Sequence, residues 1–294
     1  MADINAALVK ELRNKTGAGM MDCKKALAEA GGDIDKAVDV LRTKGLADAA
    51  KKSARVAAEG LVVAQVDSGR KNGAIVEINC ETDFVAKTDD FINFANDICK
   101  LVAEKKPADM HCLLDLDFGG VTVAKTIAEK VAKIGENIKI RRFAQFDTPD
   151  GILESYIHAG GKIGVLVEFA KTSEKDSEII RDVALHICAS NPLCVSEAEI
   201  DPEIIAHEKD IYTQKAKESG KPDNIIEKIV EGQVRKFKEE SCLVSQKFVK
   251  NPDETVGKLL GERSVTRFVR YQLGEGIEKK KEDFAEEVRK QAGL

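Results

Sequence analysis

The stretch EGLVVAQVDSGRKNGAIVEI, residues 59–78, returns 91 residues later and without a gap as DGILESYIHAGGKIGVLVEF, residues 150–169. Gly60 matches Gly151, Gly69 matches Gly160, Gly73 matches Gly164 and Glu77 matches Glu168. Each copy reads as two β-rich runs around a glycine-containing turn, which is a hairpin. The alternation agrees as well: Ala74, Val76 and Ile78 stand in the places of Val165, Val167 and Phe169. A helical pattern follows each hairpin, DDFINFANDICKLVAEKK in the first and EIIRDVALHICAS in the second. Aligning Ile98-Cys99 on Ile187-Cys188 shortens the offset to 89, so the first copy has two more residues between strand and helix, around ETDFVAK. Two β-hairpin-plus-helix units predict paired α+β subdomains.

Working outward, residues 4–14 carry Ile4, Leu8 and Leu12 at helical spacing. Gly17 stops that helix, MDCKKALAEA gives a second, and Asp33 caps a third that is expected to end at Gly45. The following LADAAKKSARVAAEG, charged and alanine-rich, reads as a helical linker. Between the copies lie an amphipathic helix, VTVAKTIAEKVAKIG, and a strand candidate, NIKIRRFAQF. After the second copy, two amphipathic helices joined by GKP predict a helical hairpin that projects as an inserted antiparallel coiled coil. Ile204, Ile211, Ile226, Val230 and Phe237 would pack one arm on the other. SVTRFVRYQLG (264–274) returns to a strand pattern, and EDFAEEVRKQ is a terminal helix with Phe284 and Val288 on one face. The expected division is a three-helix module with linker (1–54), a first core subdomain (55–147), a second (148–274, with the hairpin inserted at 201–240) and a C-terminal helical module (275–294).

Composition narrows the function classes. The chain has 294 residues with 46 basic and 51 acidic side chains, so affinity from phosphate neutralisation is not expected. Aromatics make up 5% and Trp is absent, which leaves little for base stacking. Direct contact with nucleic acid is therefore not expected. Seven cysteines lie scattered with no C-x-x-C pair and read as reduced thiols used as small hydrophobes. With no apolar targeting segment at the N-terminus and no membrane-length apolar run, the expectation is a cytoplasmic protein.

Motifs of chemistry are weak. TGAGMMDCKK lacks the third glycine of a dinucleotide loop and follows a helix, so it reads as an interhelical turn. His111-Cys112 and His186/Cys188/Cys194 have no zinc-site spacing. No histidine sits in a triad context, so no catalytic residue, metal or cofactor is assigned. The informative stretch is NCETDFVAK (79–87). One reading is structural: Asp83 or Thr88 caps the next helix, and Phe84 staples the chain against Phe91 or Phe94. The repeat supplies a control. The second copy makes the same connection with KTSEKDSE, which contains no apolar residue. The architecture does not require a Phe there, so Phe84 is a candidate anchor for a partner.

LRNKTGAGMMDCKKAL (12–27) and EINCETDFVAK (77–87) resemble the two signature stretches of bacterial elongation factor Ts, and VAKIGENI, GKIGVLVEF, SGKP and GEGIEK extend the match over essentially the whole chain. The resemblance implies a translation factor that is not an enzyme: a guanine nucleotide exchange factor acting on elongation factor Tu in its GDP-bound or nucleotide-free state. It implies a ubiquitin-associated-like N-terminal bundle, two core subdomains, a coiled-coil insertion and a C-terminal helix. It also implies partner contacts at Thr82, Asp83, Phe84 and Val85, with Phe84 wedging into the GTPase domain near its Mg²⁺ and phosphates, and further contacts at Lys24, Ile134, Gly135 and His158. The chain departs from the family at KFVKN, where Lys250 replaces an apolar residue. Homodimerisation through the helical hairpin is compatible with this reading. So is a general scaffold or chaperone-like binder without effect on nucleotide, and GDP release discriminates the two.

Overall fold

The computed structural model describes residues 5–218 and 222–278 and is a mixed α+β architecture. Helix α1 (Ala6–Thr16) starts at Asn5, whose side chain accepts from Leu8 N, and ends at Gly17 in the left-handed conformation. Helices α2 (Met20–Glu29) and α3 (Ile34–Lys52) follow, the latter capped by Asp33. Leu12, Cys23, Ala26, Leu27 and Ala37 form the core of these three helices. The expected stop at Gly45 does not occur, because α3 runs through the supposed linker to Lys52. Gly45 is a contact point instead: a Cβ there would stand 3.1 Å from the Ala132 methyl of a later helix. The Ala- and Lys-rich stretch beyond it favours helix, and tertiary packing offsets the cost of about 1 kcal/mol that a helical glycine carries.

The first repeat unit comprises β1 (Glu59–Val66), β2 (Asn72–Cys80), the single turn α4 (Asp83–Ala86), α5 (Asp89–Lys105), α6 (Met110–Asp115), α7 (Val123–Ile134) and β3 (Lys139–Asp147). The second comprises β4 (Ile152–His158), β5 (Ile163–Ala170), α8 (Ser177–Ser190), the hairpin α9 (Pro202–Lys217) and α10 (Asp223–Ser241), β6 (Lys247–Phe248), β7 (Asn251–Thr255), α11 (Val256–Leu260) and β8 (Ser264–Gln272). Each hairpin gains a third antiparallel strand, giving the orders β1-β2-β3 and β4-β5-β8. Glu77 faces Arg142 and Glu168 faces Arg267, and each ladder slips register at that glutamate.

The central strands are covered on both sides, which explains their near-continuous apolar runs. Val76 and Ile78 pack under α5 with Phe91, Ile98 and Cys99. Val165, Val167 and Phe169 pack under α8 with Ile180, Val183 and Ile187. The opposite faces meet each other, with Val62, Ile75, Phe146, Leu153 and Leu166 between the sheets. The layers therefore run helix, sheet, sheet, helix. The repeated glycines permit the close approach: a Cβ on Gly164 would stand 2.6 Å from Val62 Cγ1, and one on Gly73 3.1 Å from Leu166 Cδ1. Among the backbone hydrogen bonds that cross between the units are Val62 N to Gly161 O at 2.8 Å and Leu153 N to Arg70 O at 2.9 Å. Val62 and Leu153 hold matching places in the repeat, as do Gly161 and Arg70.

Within the inserted hairpin, Ile226 and Val230 are buried with Ala216. Ile211 and Phe237 are half-buried and Ile204 is exposed, so the expected apolar seam is only partly closed. Cys99 and Cys188 are buried at matching positions, and burial pushes the Cys99 thiol up to about 12. Cys112 is exposed on α6 and Cys194 half-exposed, so these two are not the core thiols expected. Among the described residues no helix is long and apolar enough to cross a membrane. The terminal helix with Phe284 and Val288 lies outside the described residues.

Candidate functional site

Strand β2 ends at Cys80, and two residues later the chain turns once as α4. Thr82 is extended and caps this turn, its hydroxyl accepting from Val85 N at 3.4 Å. A single turn offers one inward and one outward side. Ala86 is buried and Val85 packs half-buried on the first unit's core. Phe84 points away and is 80% exposed. Leaving such a ring in water forgoes about 1.5–3 kcal/mol of burial.

The staple reading fails on this geometry. Phe91 and Phe94 are buried in the core without Phe84 over them. Thr88 does cap α5, accepting from Phe91 N at 3.4 Å. Asp83 caps nothing; it pairs with Lys87 at 2.6 Å, one turn on. That hydrogen bond holds the Asp83 carboxyl below its ordinary range, with Lys162 adding to the effect. Asp83 is thus an anion beside an exposed aromatic ring.

Three further segments surround or extend this turn. Helix α7 ends at Ile134, half-buried, and Gly135, exposed at φ 88° with its N–H on Val131 O. The next residue, Glu136, binds back to Thr82, so Ile134 and Gly135 lie beside the Phe84 turn. His158 is exposed at the end of β4, its Nδ1 3.4 Å from the Tyr156 hydroxyl. The turn after it carries Lys162, which pairs with Glu59 at 2.8 Å on the first unit. Lys24 is exposed on α2. The N-terminal helices that carry it pack on α7, with Arg42 of α3 and Glu129 approaching to 3.4 Å. The structure thus gathers Thr82–Val85 with Ile134 and Gly135, sets His158 on the adjoining turn, and leaves Lys24 on the N-terminal helices. Lys250 pairs with Asp182 of α8 at 2.5 Å, while neighbouring Val249 is 44% exposed.

Sequence reasoning missed Glu136 and Lys87. Lys87 could have been found from its spacing of four from Asp83 on a helical turn. Glu136 gives no local signal, since its partners lie 54 residues away. Among the described residues, no group of three or more His, Cys, Asp or Glu side chains could hold a metal ion. The arrangement offers an exposed aromatic, an anion and a turn of backbone, which suits protein recognition.

Comparison with known proteins agrees with a partner-binding translation factor. Residues 81–275 match the family described as Elongation factor TS. The chain is 51% identical to elongation factor Ts of Alkalilimnicola ehrlichii over 98% of both chains. It is 52% identical to that of Methylococcus capsulatus over 97% of both, and 50% identical to that of Clostridium perfringens over 99% of both. The chain belongs to the elongation factor Ts family.

Proposed function

We propose that this protein binds elongation factor Tu in its GDP form and promotes GDP release, with Phe84 entering the GTPase domain beside the Mg²⁺ and phosphates. The observation that carries this reading is the 80% exposure of Phe84 on a turn whose sister loop needs no apolar residue. Asp83 is the polar positioner beside it, and Thr82 and Val85 frame the turn. Ile134, Gly135, His158 and Lys24 supply flanking contacts.

The physics needs no bond-making. In a P-loop GTPase, Mg²⁺ bridges nucleotide phosphates to protein ligands. A factor that binds best when that geometry is broken weakens GDP, and by linkage GDP weakens the factor equally. Buried aromatic anchors at interfaces are commonly worth 2 kcal/mol or more, so Phe84→Ala should slow fluorescent-GDP release by about 30-fold. Its melting temperature should stay within about 1 °C of the parent, because little of the ring is buried. Unchanged release by a folded Phe84→Ala variant would sink the wedge reading.

A further inference from the structure

Besides the packing of Val85 and Ala86 on the core, the start of the Phe84 turn is hydrogen-bonded by the carboxylate of Glu136. The Glu136 carboxylate accepts three hydrogen bonds: from Glu81 N at 3.1 Å, from Thr82 N at 3.0 Å and from Thr82 Oγ1 at 2.6 Å. The Thr82 hydroxyl in turn accepts from Val85 N, so Glu136 reaches α4 through Thr82. Glu81 answers in the opposite direction, its Oε1 accepting from Asn137 N at 2.6 Å. Asn137 is buried and donates its side-chain amide to Ser53 O and Arg55 O. One knot therefore joins the exit of β2, the exit of α7 and the chain leaving α3.

The chemistry of the knot is specific to a carboxylate. Backbone N–H groups at a strand exit and a helix start have no partner within their own element. An anion that collects two of them and a hydroxyl makes short, charge-assisted bonds with fixed directions. A one-turn helix has no length of its own to define its axis. A small rotation about the 81–82 backbone would swing the Phe84 ring, and a displacement of about 1 Å at a working group can cost about a hundredfold in rate.

We propose that Glu136 is the positioning residue for Phe84: its carboxylate sets the angle at which α4 presents the ring and locks that turn to Ile134 and Gly135 as one contact surface. The inference rests on the wedge reading of Phe84, and the test separates the two. Glu136→Gln, Phe84→Ala and the double variant are compared with the parent for release of fluorescent GDP from elongation factor Tu, over a range of factor concentrations, with melting temperature as the check on folding. Glu136→Gln keeps the side chain's size but turns one acceptor into an N–H donor facing other donors. Its maximal release rate should fall about tenfold, with a change of less than about twofold in the half-saturating concentration, since the rest of the surface still docks. In the Phe84→Ala background the same change should have no further effect.

A Glu136→Gln protein as fast as the parent, alongside a slow Phe84→Ala, overturns the positioning role and leaves the wedge standing. Losses that multiply in the double variant also overturn it, because Glu136 would then act elsewhere. An undiminished Phe84→Ala removes the wedge and this inference with it. Where Glu136→Gln lowers the melting temperature too far to assay, Glu81→Gln loosens the same knot from the other side. A parent-like rate there overturns the proposal; a Phe84-dependent loss supports it.

Discussion

Two loops leave two equivalent strands and do opposite things. After β5, the second unit turns through Ser173 and Asp176, and the contacts of Asp176 are made within the unit. Asp176 accepts from the backbone and hydroxyl of Ser173 and pairs with Arg263 at 2.5 Å. The Arg263 guanidinium, with the Ser173 N–H, holds that carboxyl down at about 2. After β2, the first unit inserts an extra turn, ties it to Glu136 and leaves Phe84 in water. The fold solves the connection without an aromatic in one unit and adds one in the other. Where one scaffold is used twice, the departure between copies marks what the scaffold did not ask for.

The largest test of that contrast compares two phenylalanines seven residues apart. Phe91 is fully buried and Phe84 is 80% exposed. Phe91→Ala should cost about 3–5 kcal/mol of unfolding free energy in urea. Phe84→Ala should stay within about 0.5 kcal/mol on the same measurement. Equal losses would break the division between core and contact surface.

A smaller difference is expected between the paired glutamates. Glu77 is fully buried and held by Arg141 at 2.9 Å, Arg142 at 2.7 Å and Gly274 N at 2.8 Å. Burial alone would raise its pKa, but the Gly274 N–H and the two guanidinium groups outweigh it and the net shift is downward. Glu168 has one such partner, Arg267 at 2.6 Å. Denaturation of Glu77→Gln should show a loss of about 2–3 kcal/mol, and Glu168→Gln about 1 kcal/mol, scaled to the charged hydrogen bonds each loses. The reverse order would show that the matching glutamates are not used as the contacts indicate. The cap at Thr88 is worth less: Thr88→Ala should lower stability by about 1 kcal/mol through α5.

The gentlest test is acid. His186 is buried on α8, bonded to Gln246 at 2.9 Å, and burial lowers its pKa. A lowered histidine pKa means the unfolded chain takes up the proton first. Stability is therefore complete above the unfolded value of about 6.5 and declines as pH falls through the folded value. Glu77 and Asp176, also lowered, add their losses only below about pH 4.5. Melting temperature should begin a shallow fall near pH 6.5 and steepen below about 4.5. A flat curve down to pH 5 would remove His186 from this account.

Much of this was legible in the sequence because the repeat is ungapped. Alternation at Ala74, Val76 and Ile78 and at their counterparts gave the strand faces, and Cys99 with Cys188 gave the inner face of each helix. The third strands carried a second echo that went unread: Arg142-Phe143 and Arg267-Phe268 occupy the same register opposite Glu77 and Glu168. Gly45 misled because a glycine that admits a neighbouring helix and one that ends its own look alike until the neighbour is known. The exposure of Phe84 was foreshadowed by the sister loop. The hold of Glu136 upon its turn was not, since contact across 54 residues leaves no local periodicity.

Two of the cross-unit backbone hydrogen bonds, Val62 to Gly161 and Leu153 to Arg70, are each other's image under exchange of the repeats. Such reciprocity is the mark of an isologous interface, in which one patch meets a second copy of itself about a two-fold axis. The protein's centre is in that sense a dimer written into a single polypeptide. Covalent linkage removes the concentration dependence a separate dimer would have, and it frees each half to diverge. One half could take on an aromatic turn and the other a helical insertion while the shared axis kept both folded.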